Sequence, residues 1–522
     1  MRQAIVPGVK LRLLWGCGMR LAVVCAITVG LAGPAAGQTP AATELGTIHF
    51  PSSAKPAAQP SFLTGVKALF NFEFDIAADA FQQTQKADPA FALGYWGEAM
   101  SFNHPLWAQQ DLPAARKVME RLAPTAAARA AKAPAGKERM LVESLEVLYG
   151  GAPDKLTRDI AYADALKRIH AQYPDDDEIA TFYALALLGT ARPGEKTIRN
   201  AMQAAAIAEG VFQRNPNNPG AAHMIIHAFD DPDHAILALP AARAYSKIAP
   251  SAAHALHMPS HIFVQLGMWD DVIASNIVAY KAADELASRK NLPRGREDGH
   301  TISWLQYAYL QEGKFAEADR TLATFKAIAD RDPAPNVRDV YASMKARQVV
   351  ESEKWEPLSL PAGAVRDGGA PGYDGNAAYV FAAGFSAAHL GDMATARVAL
   401  DRLQAMRTQA ESGSNAYRAK PFAVMEKELA SALAHVQKNL PETERLLKEA
   451  NAIEATMDAP SGPVEPIKPS FELYGQLLLA LGRPKEAAAL FEQSLARTPN
   501  RRLSVLGLQR ATPKATTSTV QP

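Results

Sequence analysis

Two prolines, Pro216 and Pro250, lie 34 residues apart, and two histidine pairs keep the same spacing: His223 recurs as His257, and His227 as His261. A fixed period of this length constrains the chain more than its composition does, because it requires a unit that is copied and stacked. Between the prolines, Ala222 to Phe229 and Ala235 to Ile248 read as two helices, with Asp230-Asp231-Pro232-Asp233 as the turn. One helix pair cannot bury its own apolar face, so successive pairs must pack on one another.

The same grammar recurs along the chain. Phe74-Asp75-Ile76-Ala77 leads to Phe81 and Asp88-Pro89, and Tyr95-Trp96-Gly97 opens the next helix. Leu266-Gly267-Met268-Trp269 precedes Val272 and Ala279, Glu312-Gly313-Lys314-Phe315 precedes Ala318, and Leu390-Gly391-Asp392 precedes Ala396. Phe471, Gly475, Leu481-Gly482-Arg483, Ala487, Phe491 and Pro499 form the cleanest unit. The glycine ends the first helix in a left-handed turn. The alanine lets paired helices approach, the large apolar residues fill the space between units, and the proline stops the second helix. This combination resembles the tetratricopeptide repeat, which implies an all-α, right-handed α-solenoid of helix pairs. A composition of 48% hydrophobic and only 7% aromatic residues also favours close-packed helices over sheets.

Outside the repeats the chain changes character. Arg12 and Arg20 flank an apolar run from Leu21 to Ala32, followed by Ala35, Ala36 and Gly37, so residues 1–37 read as a signal peptide and the mature protein as periplasmic or secreted. The run is too short for a stable membrane anchor. Cys17 and Cys25 both fall within it, which excludes disulfides and thiolate chemistry from the expected mature chain. Of 55 Lys and Arg, four (Arg2, Lys10, Arg12 and Arg20) belong to this segment, leaving 51 against 54 acidic residues and no footprint for nucleic acid. Residues 38–60 read as an Ala/Pro-rich linker, 61–365 as an N-terminal solenoid, 366–376 as a Gly-rich loop, 377–512 as a C-terminal helical segment and 513–522 as a disordered tail.

Seven of the twelve histidines fall between residues 223 and 300. The i, i+4 pairs His223/His227 and His257/His261 each place two rings on one helix face. With Pro250 at repeat position 32, the resemblance assigns His223, His227, His254, His257 and His261 to the concave, ligand-binding groove. Asp230 and Asp231 fall on the same wall, and His300 at the matching place of the next unit. Neutral imidazoles suit Zn, Cu, Fe or Ni. His223, His227, His257 and His261 are therefore expected to be able to form a four-nitrogen metal set. Pro259 sits inside the helix carrying His257 and His261, where it should break or delay the helix and re-aim the rings.

Residues 60–410 also resemble exported bacterial tetratricopeptide-repeat proteins. The resemblance is carried by Leu69-Phe70-Asn71-Phe72-Glu73-Phe74, Gly94-Tyr95-Trp96-Gly97-Glu98-Ala99, Asn103-His104-Pro105-Leu106-Trp107 and His257-Met258-Pro259-Ser260-His261-Ile262. Relatives often carry a further histidine where this chain has Ser303. The resemblance brings no activity with it, and no catalytic residue is assigned. The stretch from Gly189 to Thr197 misses the phosphate-loop order, and neither His-Glu-x-x-His nor Gly-x-Ser-x-Gly occurs. Trp96, Trp269 and Trp304 are expected in the core, and Trp107 in a capping loop with His104 beside the groove. Two readings follow. One is a scaffold binding a peptide, a protein segment or a small ligand in its groove; the other is a metal-binding protein or metal-dependent enzyme.

Overall fold

A computed structural model describes residues 44–192, 198–291, 299–332, 334–360, 376–413 and 416–512. The expected signal peptide, most of the Gly-rich loop and the C-terminal tail lie outside them. From Glu44 onward the chain forms one compact unit. Among the described residues the only sheet is a two-residue ribbon that pairs Asn103–His104 with Gln109–Gln110. Everything else regular is helix, arranged as consecutive antiparallel neighbours, so the α-solenoid of tetratricopeptide-like pairs is the observed fold.

The 34-residue period is visible in the helix starts. Pro219–Ala228 and Ala235–Ile248 are followed by helices that begin at Ala253 and Trp269, each 34 residues later. Gly267, Gly313, Gly391 and Gly482 all take positive φ at the end of a first helix. The interlock between units is aromatic. Phe81 is fully buried between two first helices, and a Cβ added to Gly65 or Gly97 would stand 2.7 or 2.2 Å from its ring. Phe491 is held in the same way by Gly475 and Gly507. Burying one such ring contributes about 2–3 kcal/mol, and the missing Cβ atoms are what let the ring in.

Residues 44–58 were expected within a linker, yet they form an ordered strap. Leu45 and Phe50 are fully buried. Thr47 N–H donates to the Asn217 carbonyl at 2.8 Å, His49 N–H to Glu178 at 3.0 Å, and Lys55 N–H to Asp88 at 3.0 Å. Two apolar anchors and a set of satisfied amides hold an Ala/Pro-rich segment down without secondary structure.

The C-terminal repeats fold back onto the histidine-bearing ones. Trp269 Nε1–H donates to the Asn500 carbonyl at 2.9 Å, and a Cβ on Gly267 would meet the Pro499 carbonyl at 2.6 Å. The fully buried Arg501 guanidinium bridges Glu351 at 2.6 Å and Glu472 at 2.8 Å. Gln265 donates to the Pro460 carbonyl at 2.9 Å, and Gly462 packs against Trp304. This closure brings the connection between the Leu440–Glu454 and Ser470–Ala480 helices beside the histidines.

Candidate metal centre

Four short helices carry the imidazoles. Pro219–Ala228 presents His223 and His227, and starts where Asn218 Oδ1 accepts from Ala221 N–H at 3.0 Å with Pro219 at the first position. His254 and His257 lie on Ala253–His257, His261 on Pro259–Gln265, and His300 on Gly299–Gln311. Pro259 divides its helix as expected. It cannot donate to the Ala255 carbonyl, and His261 N–H instead reaches only three residues back, to Met258 at 3.1 Å.

The rings converge as two triads, not as the expected four-nitrogen set. His223 Nε2 lies 3.0 Å from His227 Nε2 and 3.1 Å from His254 Nε2. His257 Nε2 lies 3.2 Å from His261 Nε2, and His300 completes this second group. The triads adjoin: His227 and His261 are 6.0 Å apart between ring centroids, and His254 and His257 are 6.4 Å apart.

The outer nitrogens decide what these contacts are. His223 Nδ1 is 2.7 Å from the Phe70 carbonyl, which can only accept, so that nitrogen carries the proton and Nε2 is a bare lone pair. His257 Nδ1 is 2.7 Å from Asn276 Oδ1, and the Asn276 amide nitrogen donates to the Val272 carbonyl, which fixes the amide orientation. His261 Nδ1 donates to Asp230 at 2.8 Å, and Gln265 holds the other Asp230 oxygen at 3.1 Å. With both outer nitrogens engaged by oxygen acceptors, the Nε2 atoms of His257 and His261 face each other across 3.2 Å. A proton between them would serve two rings; a cation serves three. Three nitrogens at 2.0–2.1 Å from a tetrahedral ion stand about 3.3–3.4 Å apart, close to the spacing here. An oxygen acceptor behind a ligating histidine is the usual support for a metal site.

Burial disfavours the protonated form of five of these imidazoles. It lowers His223 to about 3, against the opposing Phe70 hydrogen bond, and drives His227, His254 and His257 well below their ordinary range. His300 keeps an open face to solvent, yet its protein surroundings and then His261 push it down too. Neutral imidazole is the form that binds metal.

Aromatic rings wall the centre. Phe72 contacts the first triad, with centroids 4.3 Å from His223, 5.3 Å from His254 and 5.9 Å from His227. Trp304 contacts the second, at 4.4 Å from His261, 5.1 Å from His257 and 5.2 Å from His300. Tyr245 stacks on His223 and donates to Asn71 at 2.9 Å.

Several expectations need correction. Asp231 takes no part in either triad: its carboxylate accepts from the His234 ring at 2.8 Å and from the Asp233 and His234 amides, an Asx turn. Trp107 is not packed away in its loop but 49% exposed, 6.2 Å from His254, and His104 stacks on Phe74. Ser303 hydrogen-bonds the His300 carbonyl, and His300 joins its triad without a further histidine at that position. Trp96, Trp269 and Trp304 are buried as expected. Sequence reading missed Asn276, Gln265 and Phe72. Only Phe72 left a signal, an aromatic at the place other repeats give to glycine.

No protein-family model matches the chain, and no curated protein does. Solved structures with a similar trace include the Cut9–Hcn1 hetero-tetramer of the APC/C, at 13% identity and TM-score 0.35, covering 89% of this chain and 78% of the other. Yeast Tom70 gives 11% identity and TM-score 0.32, with 88% of each chain covered. An IFIT1 mutant with m7Gppp-AAAA gives 12% and 0.39, covering 85% of this chain and 94% of the other. These likenesses are too distant to carry function, which therefore has to be sought in the site.

Proposed function

We propose that this protein is an exported, metal-binding tetratricopeptide-like solenoid in which each histidine triad holds one late first-row transition-metal ion through its ring nitrogens. The supporting observation is the His257–His261 pair. Its facing nitrogens are 3.2 Å apart while both outer nitrogens are committed to oxygen acceptors. All-imidazole sets suit Cu, Zn, Ni and Fe, with copper heading the affinity order among divalent ions. Helix-pair solenoids also offer extended surfaces to protein partners, so a scaffold role is compatible with a metal-loaded interior. A peptide contacting His223 or His257 is disfavoured, since these rings are 0% and 2% exposed.

The test is elemental analysis of the purified mature protein after loading with Cu(II) or Zn(II) and gel filtration. Two ions per chain are expected, falling to one in His254→Ala and to one in His300→Ala, with unchanged helical circular dichroism. Metal content that is unaffected by either substitution contradicts the reading.

A further inference from the structure

The two triads are incomplete in a matching way. Each offers three ring nitrogens, and among the described residues no carboxylate or thiol joins either group as a further ligand. Three protein donors plus an exchangeable position is the arrangement of reactive sites, whereas structural sites close their fourth position with protein. As metal ligands the six rings would be neutral imidazoles and bring no charge. Two carboxylates touch the centre: Asp230, which reaches it through His261 and is shared with Gln265, and Glu73, which accepts from the His254 amide at 3.2 Å. Two divalent ions would therefore still leave about two positive charges uncompensated in a site walled by Phe72 and Trp304, where an unpaired charge is costly.

Resting on the metal reading above, we propose that the two metal sites act as one binuclear unit and take a small anion between them, of the size of hydroxide, a halide or azide. The triads face each other through His227 and His261, with centroids 6.0 Å apart, and through His254 and His257 at 6.4 Å. His261 is the hinge of the pair: its ring also lies 5.1 Å from His257 and 6.1 Å from His300. An anion shared by both ions would sit where the triads adjoin, among His227, His254, His257 and His261. The aromatic walls, with Gly462 pressed on the Trp304 ring, limit the guest to a few atoms. The parts of the unit nearest solvent are His300, which is exposed, and His254, beside the half-exposed Trp107.

The experiment uses the mature protein loaded with two Cu(II) per chain and azide as the probe. Electron paramagnetic resonance should integrate to well under half of the two spins per chain, because a bridged pair couples its spins. Azide should add one charge-transfer band that saturates at one azide per chain. His300→Ala, carrying a single copper, should show a full one-spin signal, with its azide band shifted from that of the bridged pair. Two coppers per chain with a full two-spin signal and two independent azide sites would overturn the binuclear proposal while leaving the metal reading intact. A chain that binds no copper at all would overturn both.

Discussion

The Phe72 ring packs 4.3 Å from the His223 ring on a backbone whose φ is +55°. It occupies the turn after a first helix, where Gly267, Gly313, Gly391 and Gly482 stand in other repeats. The hydrogen bonds are the same: Phe72 and Glu73 donate to Leu69 and Ala68, as Gly267 and Met268 donate to Val264 and Phe263. A left-handed non-glycine residue costs about 1–2 kcal/mol, so a local rule is broken at the spot where a ring is needed against the first triad.

That cost sets an unusual order among variants. Phe72→Ala keeps the strained backbone and loses the ring; Phe72→Gly loses the ring and relieves the strain. Urea unfolding of the metal-free protein should find Phe72→Gly more stable than Phe72→Ala by about 1 kcal/mol, the reverse of the usual helix order. Equal stabilities would mean that the backbone at Phe72 is not strained.

Trp304 reports on the second site. Its ring touches His257, His261 and His300. Loading with Cu(II) should quench a large part of the tryptophan emission, and Trp304→Phe should remove part of that change at unchanged copper content, the rest coming from Trp107 beside the first site. Undiminished quenching in the variant would place the copper elsewhere.

Arg501 ties the C-terminal repeats to the rest. Its guanidinium and both partners, Glu351 and Glu472, are fully buried. Removing one partner of such a set strands charge in the interior, so Arg501→Ala should lose about 3–5 kcal/mol. The measurement is equilibrium denaturation, and a loss below about 1 kcal/mol would contradict the assigned role.

Glu428 makes stability depend on pH. Both its carboxyl oxygens are buried without a hydrogen-bond partner among the described residues. Burial, then Glu454 and Glu472, drives its pKa well above the ordinary value, with Lys468 and Arg501 opposing. The folded state therefore holds a proton that the unfolded chain releases above about pH 4.3. Glu428's favourable contribution is full below that pH and declines as pH rises toward the folded value. Glu428→Gln cannot ionise. Its melting temperature relative to the native protein should be near parity at pH 4 and higher at pH 8. A difference that does not change with pH would rule this out.

Much of the fold was legible because the period is written in residues with local consequences: Pro216 and Pro250, the Leu-Gly turns, and the glycines that admit Phe81 and Phe491. The i, i+4 histidine pairs were legible for the same reason. The grouping of the rings was not. His254 and His300 reach their triads from neighbouring helices, and their directions depend on the break at Pro259 and on how successive pairs rotate, neither of which a repeat position specifies. Asn276 is one polar residue in the 22-residue helix Trp269–Lys290, and nothing in its neighbours marks it as the partner of His257. The strap was hidden by its composition, since two anchors, Leu45 and Phe50, outweigh the surrounding Ala, Pro and Ser.

The most direct measurement is an anomalous difference map from crystals of the copper- or zinc-loaded protein, recorded on both sides of the metal edge. Two peaks per chain are predicted, one about 2.0–2.2 Å from the Nε2 atoms of His223, His227 and His254, the other equally placed among the Nε2 atoms of His257 and His261 and a ring nitrogen of His300. No peak at either triad in fully loaded crystals, with the six rings arranged as described, would contradict the account.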